Sequence, residues 1–123
     1  MESLPKLRVY LSRERISRMS ISNRFRGIAS DVKDFHKSLV SQPGATSGGA
    51  RDVKKASSEL TEWSEQVGEI PRMSLEYKLT PVLLKAHNNL DRARLTFAEE
   101  DLDEYASKAW ELQQNIYRLL NDL

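Results

Sequence analysis

The sequence predicts an all-α fold, and both its composition and its periodicity lead to this prediction. Leucine occurs 16 times among the 123 residues, whereas valine, isoleucine and threonine together occur 15 times. Helices accommodate leucine well, and strands favour β-branched residues. Apolar residues also recur at alternating spacings of three and four along most of the chain, which is the period of one helix face. We therefore expect a compact bundle of about five helices over residues 20–123, preceded by a basic N-terminal arm.

The arm comprises residues 1–19, which show no clean helical period and which we interpret as a short extra helix or a mobile segment. Residues 1–40 hold nine basic and four acidic residues, whereas the remainder of the chain holds ten basic and fourteen acidic residues. The candidate contacts for nucleic-acid phosphates in this basic part are Arg13, Arg15 and Arg18. The alternative is that these charges are solvated, or that the arm packs against the acidic end of the domain itself.

The first strong helix is predicted by one continuous apolar stripe with spacings 4-3-4-3-4. Its members are Ile21, Phe25, Ile28, Val32, Phe35 and Leu39. Either Ser20 or Ser22 is suited to cap this helix, since serine oxygens accept hydrogen bonds from the first backbone N–H groups. Gly27 lies inside it and is either a local weakness or a place where another helix approaches closely.

Residues 41–50 read SQPGATSGGA, a composition that predicts a flexible loop because proline and glycine disfavour helices. We interpret it as a loop within the domain, and the alternative is a linker that joins two fused pieces. A second helix follows, with Gly68 placed where a glycine commonly ends a helix. The stripe of this helix is Val53, Ala56, Leu60, Trp63 and Val67.

The middle of the chain predicts two further helices. A short third helix spans Leu75 to Leu79, and Thr80-Pro81 then reads as an N-cap followed by proline at the first helical position. The stripe of the fourth helix is Leu83, Ala86, Leu90, Ala93 and Phe97.

The last helix is predicted to open at Asp101, where acidic residues suit the positive end of the helix dipole. Its main stripe is Leu102, Tyr105, Ala109, Leu112, Ile116, Leu119 and Leu123. A second row widens the apolar face and consists of Ala106, Trp110, Tyr117 and Leu120. A face this wide is expected of a helix packed between two neighbours, so we expect Tyr105 and Trp110 to lie in the core.

The residues needed for most kinds of catalysis are missing from the sequence. Cysteine is absent, the only histidines are His36 and His87, and no glycine-rich phosphate loop is present. No carboxylate lies in an apolar context that would raise its pKa for acid–base chemistry. We therefore expect no enzyme activity, no catalytic residues, no metal and no cofactor. No apolar run is long enough for a membrane span or a secretory signal, so we expect an intracellular protein in a reducing compartment, with no membrane partner.

The stretch Met73–Leu90, MSLEYKLTPVLLKAHNNL, resembles the middle of the TFIIS N-terminal domain family. The segment 109–120 is similar to the last helix of that family. The predicted order of helices resembles the variant known as the integrase-binding domain of LEDGF. The sequence departs from the family in its longer glycine-rich loop and in Ile116-Tyr117, which stands where the family has a tryptophan-lysine pair.

The resemblance implies a non-enzymatic protein-interaction domain of a nuclear chromatin or transcription factor, which docks short linear motifs of disordered partners. In such domains an aromatic residue of the partner enters a pocket between two interhelical loops. The residues that the resemblance places there are Leu39, Val40, Asp52, Leu95, Phe97, Glu99 and Glu100. The two glutamates would favour basic residues beside the anchor.

Two alternatives stay open at this point. Leu39, Leu95 and Phe97 all complete helical stripes, so they are equally suited to closing the end of the core. The chain as a whole is alternatively a small helical nucleic-acid-binding or scaffold protein that acts through its basic residues 1–40, in the nucleus or the cytoplasm.

Overall fold

The computed structural model of the protein describes residues 20–42 and 47–123. Over these two ranges the chain forms four α-helices and no β-strand. The helices are α1 (Ile21–Val40), α2 (Gly48–Ser64), α3 (Arg72–Glu99) and α4 (Asp103–Asp122), and a 3₁₀ turn (Val67–Glu69) joins α2 to α3. The predicted all-α bundle is therefore confirmed for the described part of the chain. The predicted basic arm, residues 1–19, lies outside the described residues.

The helices enclose one apolar core. Helix α3 packs against α2 on one side and α4 on the other, and α1 packs against α2 and α4. The largest fully buried side chains come from all four helices and include Phe25, Leu39, Leu60, Leu83, Phe97 and Ile116. The predicted stripes thus face the core, because a helix buries the side chains that repeat at three and four positions. None of the helices described has the combined length and hydropathy that crossing a membrane requires.

Serine side chains cap the first two helices. The hydroxyl oxygen of Ser20 accepts a hydrogen bond from the backbone N–H of Asn23 at 3.1 Å, so Ser20 is the cap of α1. Ser22 instead donates its hydroxyl to the backbone carbonyl of Val67 at 3.3 Å, which ties α1 to the 3₁₀ turn. The hydroxyl oxygen of Ser47 accepts from the backbone N–H of Gly49 at 3.1 Å and caps α2.

The predicted loop 41–50 is too long, because α2 begins at Gly48. The reason lies in packing: a Cβ atom on Gly49 would lie 2.6 Å from Cε1 of Phe97, closer than real Cβ contacts. Glycine is therefore the residue that lets α2 approach α3 here, and the Ser47 cap compensates for its poor helix propensity. A Cβ atom on Gly27 would have no neighbouring atom within 4 Å, so of the two interpretations of this glycine only a local weakness remains.

The predicted break at Thr80-Pro81 is wrong, since α3 runs without interruption from Arg72 to Glu99. Pro81 lacks an N–H, so the carbonyl of Tyr77 loses its helical partner. Both residues are exposed, which leaves that carbonyl on the solvent side of the helix. Leu79 and Leu83 on either side are fully buried, and their burial outweighs the cost of the proline. The third and fourth predicted helices are thus one helix.

The turn between α3 and α4 also differs from the prediction, because α4 begins at Asp103 rather than Asp101. The backbone N–H of Leu102 donates to the carbonyl of Phe97 at 2.8 Å, and that of Asp101 donates to Ala98 at 3.2 Å. This pair of bonds is a Schellman motif, with Asp101 in the left-handed region at φ 60°. Gly68, predicted to end the second helix in this way, lies in the 3₁₀ turn without a positive φ.

We expect Gly49→Ala to lower the free energy of unfolding by about 1–3 kcal/mol, because the new methyl group overlaps the Phe97 ring. Gly27→Ala is the matched control at an exposed helix position with open space around it. It should raise the free energy of unfolding by about 0.5–1 kcal/mol, the usual gain in helix propensity. Urea unfolding followed by circular dichroism measures both changes. Equal stabilisation of the two variants would show that α2 does not approach α3 at Gly49.

Candidate functional site

The predicted docking end of the bundle is closed by aromatic side chains. The Phe97 ring lies with its centroid 6.1 Å from that of Phe35 and 5.6 Å from that of Tyr105. Phe97 is fully buried, and so is Leu39 on α1. These two predicted contact residues therefore close the end of the core, as one of the two interpretations of the sequence had it, and present no surface to a partner in this conformation.

The remaining predicted contact residues do not gather at one place. Leu95 is half exposed and lies two positions before Phe97, which puts it on the opposite side of α3. Val40 is half exposed at the end of α1, and Asp52 is half-buried on α2. Glu99 and Glu100 are exposed at the end of α3, where a carboxylate oxygen of Glu100 accepts the Ser47 hydroxyl at 3.2 Å.

The candidate nucleic-acid contacts Arg13, Arg15 and Arg18 lie outside the described residues. Two basic residues of α1 are occupied within the bundle. Arg24 forms an ion pair with Asp122 at 2.8 Å, and Arg26 donates to the backbone carbonyl of Ser64 at 3.3 Å. These contacts hold α1 to α4 and to the end of α2.

An open depression of about 410 Å³ lies between α1 and α4. Its lining residues are Asp31, Asp34, Phe35, Ser38, Glu104, Tyr105 and Lys108. At its rim the Tyr105 hydroxyl donates to a side-chain oxygen of Gln42 at 2.7 Å. Across the part of the chain that the structure describes, no group of three histidine, aspartate or glutamate side chains is placed to hold a metal ion. Three of the residues that line the depression, Asp31, Asp34 and Glu104, are acidic.

Most of the exposed large apolar side chains in the described residues belong to α3 and α4, and on α3 they include Met73 and Tyr77 near its start. Leu84 and Leu95 of α3 are 47% and 50% exposed, and Trp110 and Tyr117 of α4 are 54% and 55% exposed. The spacings of eleven and seven residues place each pair on one side of its helix. We call these four residues the α3–α4 face. The expected core position of Trp110 is wrong, whereas Tyr105 is half-buried and packs against the core.

A polar cluster lies between the two helices at the middle of this face. A carboxylate oxygen of Asp91 accepts hydrogen bonds from Arg94 at 2.8 Å and from the side-chain amide of Gln113 at 3.1 Å. The Arg94 and Gln113 hydrogen bonds hold the pKa of the Asp91 carboxyl below its ordinary value. Because Asp91 and Gln113 belong to different helices, their bond sets α3 and α4 in antiparallel register.

The sequence placed Trp110 and Tyr117 in a second apolar row of the last helix, led us to expect Trp110 in the core, and gave no role to the Asp91 cluster. The main stripe of α4 already has enough apolar residues to cover one side of the helix. The row with Trp110 and Tyr117 is offset from this stripe, and that offset was the sequence signal for their exposure. The Asp91–Gln113 contact had no sequence signal, since it depends on how two helices align.

Comparison of the chain with protein-family models, with curated proteins and with solved structures gives no match. The resemblance to the TFIIS N-terminal domain family therefore stays a prediction. That resemblance rested in part on an expected order of five helices, and the described residues form four.

We expect Phe97→Ala to reduce the free energy of unfolding by about 3–5 kcal/mol, because it removes a fully buried ring between Phe35 and Tyr105. Leu95→Ala is the matched control two positions away, and its effect should stay within about 0.5 kcal/mol. Thermal and urea unfolding provide the measurement. A small effect of Phe97→Ala would place the ring at the surface and restore it as a docking residue.

We expect the Asp91 carboxyl to titrate below the ordinary aspartate value of about 3.9, as followed by NMR. Since its folded-state pKa is the lower one, its contribution to stability is present above about pH 4 and is lost as the pH falls through the folded pKa. Arg94→Gln should move the pKa of Asp91 upward, because it removes the stronger hydrogen bond. An unchanged titration in this variant would mean that Arg94 does not hold the carboxylate.

Proposed function

We propose that the protein is a non-enzymatic protein-interaction domain that docks short linear motifs of disordered partners on the α3–α4 face. The observation that supports this most is the half-exposed state of Leu84, Leu95, Trp110 and Tyr117 on two helices packed together. Exposed apolar side chains that share one side of a pair of helices are more typical of interaction sites than single scattered ones. Tryptophan and tyrosine are also the residues most often found to dominate binding energy.

The face is well suited to this role because its residues lie on helices rather than on loops. Helices held by a shared core present their side chains at fixed positions, which lowers the entropy lost on binding. A groove between two helices accepts the apolar side of a third, partner helix. The docking site that the family resemblance implied lay at the end of the bundle, and the burial of Phe97 moves our proposal to the α3–α4 face.

Charge supports a preference for basic residues in the partner. The turn between α3 and α4 lies next to Leu95, and its acidic residues are Glu99, Glu100, Asp101, Asp103 and Glu104. No basic residue stands within residues 99–104. A motif with an aromatic anchor and neighbouring lysine or arginine would thus gain in association rate as well as in affinity.

A role in a nuclear chromatin or transcription factor is part of this proposal and rests on the family resemblance alone. The alternative, nucleic-acid binding through residues 1–40, is less favoured by the structure of α1. Arg24 and Arg26 make contacts within the bundle, so phosphate binding would draw on the other basic residues of this part, which include Arg13, Arg15 and Arg18 and the exposed Lys33 and Lys37 of α1.

Selection of a displayed random-peptide library against the immobilised full chain tests the proposal. Recovered peptides should bind with a measurable Kd in fluorescence anisotropy, and Trp110→Gln should weaken that binding by at least ~10-fold. Val40→Gln is the matched control, because Val40 is equally exposed but lies on α1, away from the face. It should change the Kd by less than ~2-fold.

Two results would contradict the proposal. One is a selection that recovers no peptide above background. The other is a set of peptides whose affinity is unaffected by Trp110→Gln, since these would bind elsewhere on the molecule.

A further inference from the structure

The first turns of α3 carry three apolar side chains that the other described helices leave exposed. Met73, Tyr77 and Leu84 are 98%, 83% and 47% exposed, and spacings of four and seven residues place them on one side of α3. We call these three residues the α3 row. Asp91 lies seven residues after Leu84 on the same side, where it accepts the hydrogen bond from Gln113 of α4. The row therefore lies on the side of α3 along which α4 runs.

Helix α4 is too short to cover the start of this row. The hydrogen bond between Asp91 and Gln113 shows the level at which the two antiparallel helices align. At this alignment Asp122, the last residue of α4, lies level with residue 82 of α3. The first two residues of the row precede that level, so the space beside them is open to a further segment of chain that approaches past the end of α4.

The N-terminal arm joins the bundle at this same end. The hydroxyl of Ser22 donates to the carbonyl of Val67 at 3.3 Å. Arg24 forms its ion pair with Asp122 at 2.8 Å. The start of α1 thus lies beside the end of α4 and beside the turn that leads into α3. Val67 and Met73 are six residues apart in the chain and therefore at most about 20 Å apart in space, which puts the end of the arm within about 30 Å of the α3 row.

The sequence of the arm divides into an apolar part and a polar part. Residues 4–11 read LPKLRVYL, and six of these eight residues are apolar. Residues 12–19 read SRERISRM, of which two are apolar and four are charged. Fully extended, the polar part spans up to about 28 Å, which is comparable with the upper limit of the distance to the row. It is therefore long enough to connect the apolar part to the α3 row.

We propose that residues 4–11 dock on the α3 row of the same molecule. The row is about 17 Å long, since eleven residues separate its ends, and an eight-residue segment is long enough to cover it. Docking buries apolar side chains of both surfaces, which is the main source of binding energy. The segment also has the chemistry of the motif proposed for partners, because Tyr10 is an aromatic anchor with Arg8 and Arg13 nearby. The inference goes beyond the proposed function, since the chain itself supplies the occupant.

The docked arm covers part of the α3–α4 face. Leu84 belongs both to the α3 row and to the face, and Tyr117 lies level with residue 87 of α3. A partner motif that extends over this half of the face therefore has to displace the arm. The apparent affinity for such a motif falls in proportion to the fraction of molecules that the arm leaves uncovered. The arm is thus an autoinhibitory segment.

A spin label on the arm of the full chain tests this contact. The chain has no cysteine, so Ser3→Cys provides a single attachment point for a nitroxide beside the docking segment. In NMR spectra the label should broaden the amide signals of residues 73–84 and of Tyr117 most strongly. Broadening centred elsewhere, for example on Asp31 and Asp34 in the depression, would overturn the proposal. Broadening spread evenly over the surface would also overturn it.

Three variants of the spin-labelled chain test which residues hold the arm. Leu7→Asp should reduce the broadening of the row by at least ~3-fold, because it replaces an apolar side chain of the docking segment with a charged one. Ile16→Asp is the matched control in the polar part of the arm and should leave the broadening unchanged. Tyr77→Ser should act as Leu7→Asp does, and it preserves the fold because Tyr77 is exposed. Equal effects of Leu7→Asp and Ile16→Asp, or no effect of Tyr77→Ser, would overturn the proposal.

A mixture of two chains shows whether the segment comes from the same molecule. Spin-labelled chain is added to isotopically labelled chain without the spin label, and only the second chain is observed. Its α3 row should show no broadening. Broadening as strong as that in the spin-labelled chain itself would mean that a second copy supplies the segment, and this would overturn the proposal.

The outcomes separate this inference from the proposed function. If selected peptides bind through Trp110 while the spin label broadens the surface evenly, the arm contact is wrong and motif docking stands. If the label broadens the α3 row and the Leu7→Asp chain, with its face uncovered, recovers no peptide from the library, motif docking is wrong and the arm contact stands.

Discussion

The placement of the Phe97 ring is the constraint on which most of the bundle depends. Its side chain packs against Phe35 of α1 and Tyr105 of α4, and its ring edge occupies the space that a side chain at Gly49 of α2 would need. Its backbone carbonyl accepts the N–H of Leu102, which closes the turn into α4. One residue thus positions three other helices and a turn. Because these contacts converge at one end of the molecule, that end is a packed cap and the accessible apolar surface lies along the helices instead.

The α3–α4 hairpin contains a polar cluster beside its apolar contacts. Leucine and alanine side chains tolerate small shifts along a helix, whereas the hydrogen bonds that Asp91 accepts from Arg94 and Gln113 have fixed distances. Gln113 is 4% exposed, so its hydrogen bond is protected from competing water. The cluster therefore contributes to the alignment of the exposed residues on the α3–α4 face.

Much of the fold was predictable because helix periodicity is a local property. The stripes from Phe25 to Leu39 and from Leu102 to Leu119 identified the buried sides of α1 and α4 from spacing alone. Several of the failures concern choices that a distant part of the chain decides. The sequence shows that Pro81 and Gly48-Gly49 disfavour a helix. It does not show that Leu83 is buried beside Pro81, or that Phe97 packs against Gly49, and these contacts outweigh the helix-breaking tendency.

The candidate site was less predictable than the fold for a related reason. Trp110 and Leu112 belong to two different apolar rows of α4, and periodicity alone does not separate the row that faces inward from the row that is exposed. Which row faces inward depends on where α1 and α3 lie around α4, and the structure buries Leu112 and leaves Trp110 half exposed. Leu95 and Phe97 were grouped because they are close in sequence, yet a separation of two residues places them on opposite sides of a helix.

Pro81 divides α3 into two parts, and the backbone hydrogen bonds of the first part can break while those of the second stay intact. The segment from Arg72 to Thr80 precedes the backbone hydrogen bond that Pro81 cannot make. Because Asp91 of α3 lies level with Gln113 of α4, the end of α4 lies level with residue 82 of α3. The first turns of α3 therefore extend past α4, with Met73 and Tyr77 almost fully exposed, whereas Leu79 is fully buried. The amide hydrogens of Arg72 to Tyr77 should exchange with solvent through local opening, while those of Ala86 to Phe97 exchange only when the whole domain unfolds.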